Sequence, residues 1–147
     1  MSERAKRLAT YRDIAALPEG ENVEIIAGEI VQAPRSRPAH GRAQAGLSWL
    51  LGGPFDFQGD PGGWWIVVEP EVELARHEVY IPDVAGWRRE RVPRLPDERP
   101  VRIVPDWVCE VVSPSSGRTD RVQKAHGYLL AGVPFYWILD LEDRTLE

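Results

Sequence analysis

The stretch from residue 106 to 140 constrains this fold more than any other part of the chain. Trp107-Val108-Cys109-Glu110-Val111-Val112 is a short apolar run rich in β-branched residues, and Ser113-Pro114-Ser115-Ser116-Gly117 breaks it. Residues 120–131 then read as a helix, with Thr119 in front as a cap, Gly132 behind and Pro134 just beyond, the usual start and stop chemistry. Residues 135–139 return to an apolar strand run. Strand, helix and strand in that order predict two parallel strands joined by a crossover. The run 106–112 is the most apolar and is expected at the centre of the sheet.

The remaining elements follow from local pattern. Thr10 and Asp13 fit a capping box that opens a short helix through Leu17. Residues 22–26 and 29–33 read as a hairpin about Ala27-Gly28, and residues 39–51 as a helix with Ala43, Leu47, Leu50 and Leu51 on its packed face. Residues 64–69 and 71–74 read as a strand pair or as one strand kinked at Pro70; residues 79–87 read as one strand containing Asp83. Residues 88–105 hold four prolines and read as a long irregular insertion. The fold class expected is α/β with α+β character: a mixed sheet flanked by helices, in one domain spanning residues 1–147. A strand begun at residues 144–147 stops with the chain, so the fold is expected to continue further.

Charge narrows the function classes. With 18 basic against 23 acidic residues the net charge is −5, which argues against a protein that coats nucleic acid passively through its phosphates. It argues less against an enzyme whose clustered carboxylates are offset by metal. No apolar run is long enough to span a bilayer, and a single cysteine in an apolar run suits a reducing compartment, so the cytoplasm is the expected location. The three histidines lack metal-ligand spacing.

Two acids stand inside strand-like apolar runs, where an ionised side chain is costly unless compensated. They are Asp83 in Ile81-Pro82-Asp83-Val84 and Glu110. On neighbouring strands they would reach one divalent cation, which would lower the pKa of a bound water and offset charge on a scissile phosphate. Lys124 follows on the next helix, and Asp120, Lys124 and Tyr128 at i, i+4 and i+8 share a face, leaving Val122, Ala125 and Leu129 for the packed side. Ser113 and Ser115 can support a water, a phosphate oxygen or the lysine. Plainer readings stand beside these. Asp83 after Pro82 also fits a strand edge, and Lys124 also fits a solvated surface charge paired with Asp120. Glu110 is harder to explain without a buried partner.

The run Glu24-Ile25-Ile26-Ala27-Gly28-Glu29-Ile30-Val31, then His40, Ile81-Pro82-Asp83-Val84, Glu110-Val111-Val112-Ser113-Pro114-Ser115, Asp120, Lys124, Tyr128 and the block from Ala131-Gly132-Val133-Pro134 to Asp140 resemble the bacterial Uma-type restriction endonuclease family. That family is part of the PD-(D/E)XK nuclease superfamily. The resemblance implies a restriction-endonuclease-like core, hydrolysis of DNA phosphodiesters, and Mg2+ or Mn2+ at Asp83 and Glu110. The superfamily lysine usually stands two residues after the second acid, where this chain has Val112, so Lys124 would be its relocated equivalent. Glu24 matches an early acid that serves as further ligand or base, although a hairpin surface residue is the equal alternative. Cutting both strands implies a homodimer. Arg35, Arg37, His40 and Arg42 form a basic segment that can meet DNA phosphates, as can the arginines of residues 88–105, with ordinary surface charge as the other reading. A nuclease-fold module that binds nucleic acid or protein without cutting is the rival.

Overall fold

The structure, a computed structural model, describes residues 6–33, 35–114 and 116–147. A short helix α1 (Tyr11–Ala15) is opened by Thr10, whose N–H donates to Asp13 Oδ2 at 2.8 Å. The expected hairpin follows as β1 (Val23–Ile26) and β2 (Glu29–Gln32). Ala27 and Gly28 both take positive φ at its turn, as a tight two-residue hairpin demands.

Helix α2 spans Pro38–Gly52 and runs into a wide π-helical turn at Gly53–Phe57. Strands β3 (Trp64–Val68), β4 (Val72–Ala75), β5 (Glu78–Tyr80), β6 (Val84–Arg88) and β7 (Trp107–Val112) come next. A second π-helical stretch, Thr119–Lys124, leads into α3 (Ala125–Ala131), and β8 (Phe135–Asp140) and β9 (Thr145–Leu146) complete the described elements. Gly132 closes α3 with φ 82°, a conformation that favours glycine.

The strands form two sheets. One is antiparallel, in the order β2-β1-β5-β4; the other is mixed, in the order β3-β6-β7-β8-β9. The β7 and β8 strands are parallel from Trp107↔Phe135 to Val112↔Asp140, as the crossover pattern requires, and β7 is central. Period-two alternation splits β7 between two cores. Trp107 and Cys109 pack with Val84, Leu47, Leu51 and Trp64 under α2. Val108 packs with Trp87, Tyr80 and Tyr128 on the opposite face, between the two sheets and α3.

Three expectations are corrected. Residues 79–87 are not one strand: Pro82 has no N–H to give a ladder, so β5 joins one sheet and β6 the other, with Asp83 at the corner between them. Residues 64–69 and 71–74 likewise part at Glu69, which has φ 50°, and go to different sheets. On α2, Leu47 and Leu51 pack as expected, but Leu50 is 62% exposed. No helix among the described residues is long and apolar enough to cross a membrane.

Candidate active site

Asp83 takes its position from the corner. The antiparallel register Val84↔Cys109 and Ala85↔Val108, continued by one residue, sets it opposite Glu110. Its Oδ2 accepts the Val111 N–H at 2.6 Å, and its Oδ1 lies 3.2 Å from His40 Nε2. Its backbone carbonyl accepts both the Glu69 N–H at 3.1 Å and Gln44 Nε2 at 2.8 Å. The same amide of Gln44 reaches Glu69 Oε1 at 3.3 Å. Two strands and one helix therefore fix this carboxylate before any ligand arrives.

Glu110 is fully inside, and its partners come from the helix after β7. Lys124 Nζ lies against Glu110 Oε1 in a very short ion pair, 2.8 Å from Glu24 Oε1 and 3.8 Å from Asp120 Oδ1. Tyr128 donates its hydroxyl to the same Glu110 oxygen at 2.7 Å. Glu24 Oε1 also accepts the Ile81 N–H at 2.7 Å, so it ties the hairpin, the corner and the lysine together. The Tyr80 ring lies 5.5 Å below the ammonium and 5.2 Å from the Tyr128 ring, edge to face.

This arrangement reverses one expectation. Val122 and Leu129 do not take the packed side; they are 61% and 73% exposed, while Asp120, Lys124 and Tyr128 are buried. The polar face is the one turned inward, and a surface role for Lys124 is excluded. Helical periodicity shows which residues share a face but cannot say which face meets the core.

Burial controls the protonation of the cluster. It pushes the Glu110 carboxyl well above the usual range; Lys124 opposes this, while Asp120, Asp83 and Glu24 add to it. Burial raises Asp120 to about 6 against the pull of Lys124. For Lys124, burial works to lower the pKa, but Glu110, Glu24 and Asp120 override it and hold the ammonium above its ordinary value. His40 is raised by its bond to Asp83, against burial.

The cluster lines a cleft of about 770 Å³ that also takes in Arg35, Arg37, Glu69, Ser113 and Ser116. Arg35 and Arg37 stand exposed at its mouth, His40 turns inward to Asp83, and Arg42 is exposed on α2 outside the lining. Ser113 N–H donates to Ser116 Oγ at 3.1 Å; Ser115 lies outside the described residues. Several arginines of residues 88–105 are committed elsewhere: Arg89 to Asp56, Arg91 to Asp106, Arg99 to Glu71 and Arg102 to Glu73. Gln44 and Tyr80 are members of the site that the sequence does not single out. The available signal was the polar i, i+4 pair His40 and Gln44 on an otherwise apolar helix face.

Among the described residues no three His, Cys, Asp or Glu side chains converge closely enough to cage a metal unaided. The donors instead suit a hard divalent cation that completes its shell with water and substrate oxygens. Six carboxylates (Glu24, Glu69, Asp83, Glu110, Asp120 and Glu142) line the cleft with Lys124, Arg35, Arg37 and His40. Fully ionised, that group carries surplus negative charge. Burial raises the pKa of both Glu110 and Asp120, and a bound cation would favour their ionised forms. The residues fit such a group.

Comparison with known proteins gives a family and a fold. The sequence profile of the family Uma2, described as "Putative restriction endonuclease", matches residues 8–147. Among solved structures, a putative nuclease of DUF820 from Anabaena variabilis superposes with a TM-score of 0.79 at 22% identity, over 94% of this chain and 77% of that one. None of the curated proteins matches the chain.

Proposed function

Since the chain belongs to the Uma2 family of putative restriction endonucleases, we propose that it hydrolyses DNA phosphodiester bonds with Mg2+ or Mn2+ held by Asp83 and Glu110. One observation carries the reading: the two carboxylates stand across one strand pair at the cleft while a buried ammonium lies against Glu110. When bound, the cation supplies Lewis-acid polarisation of the phosphate and an acidified water.

The chain's own groups do the rest. Lys124 carries a full proton at neutral pH, so it acts as fixed positive charge beside the developing negative charge and not as a base. Glu24 and Tyr128 are positioning residues: Glu24 holds the ammonium and Tyr128 holds the Glu110 oxygen. Asp120 and the Ser113–Ser116 turn frame the cleft wall. Arg35 and Arg37 at the mouth meet the flanking phosphates, and Arg42 extends that basic surface along α2. Cleavage of both strands at one locus takes two such sites, and a homodimer supplies them.

The test is conversion of supercoiled plasmid to nicked and linear forms with Mg2+ or Mn2+. Asp83→Ala, Glu110→Gln and Lys124→Met are each expected to lose at least about a hundredfold in rate, the scale of removing a preorganised charge-stabilising group. Equal nicking by all four proteins would identify a contaminant. A wild type that binds the metal and DNA yet never cuts would make the chain a silent nuclease-fold module.

A further inference from the structure

We infer that the cleft takes one DNA strand separated from its complement, so that unpaired DNA is the preferred substrate and a fully paired duplex is cut slowly. The inference rests on the nuclease reading above and narrows its substrate. The groups assigned to the chemistry stand at the bottom of the cleft: the side chains of Lys124, Glu110 and Glu24 are 3%, 4% and 9% exposed, and that of Asp83 14%. The rim is made of exposed residues from three separate segments: Gln32, Arg35, Ser36 and Arg37 before α2, Pro114 after β7, and Glu142 after β8. A scissile phosphate must therefore descend between these segments to meet Glu110 and Lys124.

The space for that descent is about 770 Å³, inside the range of about 300–1,000 Å³ typical of pockets that enclose a small molecule. It admits a short run of single strand but not a duplex, whose major groove alone is about 12 Å wide. A paired strand is part of a stiff rod, and its complement would meet the rim before the phosphate reached the floor. Charge points the same way. Six carboxylates line the cleft, and Arg35 and Arg37 are the exposed cations among its described lining residues. A protein that grips a duplex through its backbone spreads cations over many phosphates; two arginines on one segment match a few phosphates of one strand. No Phe, Tyr or Trp is among the described lining residues, so the strand is held by its phosphates and not by stacked bases, and sequence preference should be weak.

The experiment uses the full chain, Mn2+ and end-labelled DNA oligonucleotides of one sequence in three forms: single strand, full duplex, and duplex with a central unpaired bubble. Single-turnover cleavage is measured for wild type and Glu110→Gln, and binding, with Ca2+ in place of Mn2+, is followed by fluorescence anisotropy across salt concentrations. Single strand and bubble should be cut at least about tenfold faster than the duplex, since no base pairs need be broken, and cuts in the bubble should fall in its unpaired part. The single-strand affinity should fall with salt at a log–log slope near −1.4, about 0.7 for each of two phosphates, and Arg35→Ala or Arg37→Ala should each flatten it by about 0.7. A duplex cut as fast as the single strand, in a Glu110-dependent manner, overturns the inference and leaves the nuclease reading standing. So does a salt slope unchanged in both arginine variants, because the strand then does not pass this rim. Absence of Glu110-dependent cutting of any of the three forms overturns both.

Discussion

Replacing Gly127 by alanine sets two physical effects against each other. Gly127 is in the middle of α3, where alanine is favoured over glycine by about 1 kcal/mol, so helix propensity alone predicts stabilisation. The structure predicts the opposite sign. An added Cβ would overlap Tyr80 Oη and stand 2.7 Å from Cζ and 2.9 Å from Cε2, whereas optimal heavy-atom contact is about 3.5 Å or more. Tyr80 is fully buried and its hydroxyl donates to Glu78 Oε2 at 2.6 Å. The ring has nowhere to retreat without breaking that bond. Overpacking costs about 1–3 kcal/mol, and loss of a hydrogen bond to a carboxylate roughly 1.5–3 kcal/mol. After the gain in propensity, Gly127→Ala should destabilise by about 2–4 kcal/mol, read as a lower urea midpoint at unchanged slope. Tyr80→Phe in the same background removes the nearest atom and should recover part of the loss. A Gly127→Ala protein as stable as wild type, or more so, would refute the close approach of α3 to β5, and with it the tyrosine floor beneath Lys124.

Three more outcomes follow from the buried cluster. Lys124→Met leaves Glu110 and Glu24 without their cation and should cost about 3–5 kcal/mol at neutral pH; the deficit should shrink in urea titrations at lower pH, where Glu110, its carboxyl already raised by burial, takes up a proton. Burial pushes the Asp120 carboxyl up to about 6 from its usual 3.8, so its favourable contribution is complete below the unfolded pKa and disappears as pH rises through 6. Asp120→Asn should therefore flatten the fall in metal-free stability between about pH 4 and 7, measured by denaturation at successive pH values. Tyr128→Phe removes the hydroxyl bonded to the Glu110 oxygen and should cost roughly 1.5–3 kcal/mol, with weaker Mn2+ binding by calorimetry as the second readout.

Legibility in the sequence followed the physics of each element. The apolar run holding Glu110 and the crossover to β8 were readable because burial on both faces leaves an uninterrupted hydrophobic signal. The hairpin was readable because Ala27-Gly28 sits between two alternating segments. The break at residues 81–83 was hidden, since Pro82 announces an interruption but not that the halves join different sheets. The inward polar face of the helical segment after β7 was hidden for another reason. A lysine among exposed leucines becomes intelligible only when Glu24, 100 residues away, is seen bonded to it. Gln44 was missed because its shorter bond is to a backbone carbonyl, a partner that residue types do not encode.

That separation has a consequence for synthesis on the ribosome. Glu24 leaves the exit tunnel long before Lys124 is added, and Asp83 and Glu110 emerge between them. Until the last of these is released, the nascent chain holds acids without their counter-charge, and the buried cluster does not exist. Whatever chemistry the cleft performs therefore begins only after the segment that carries Lys124 has been made.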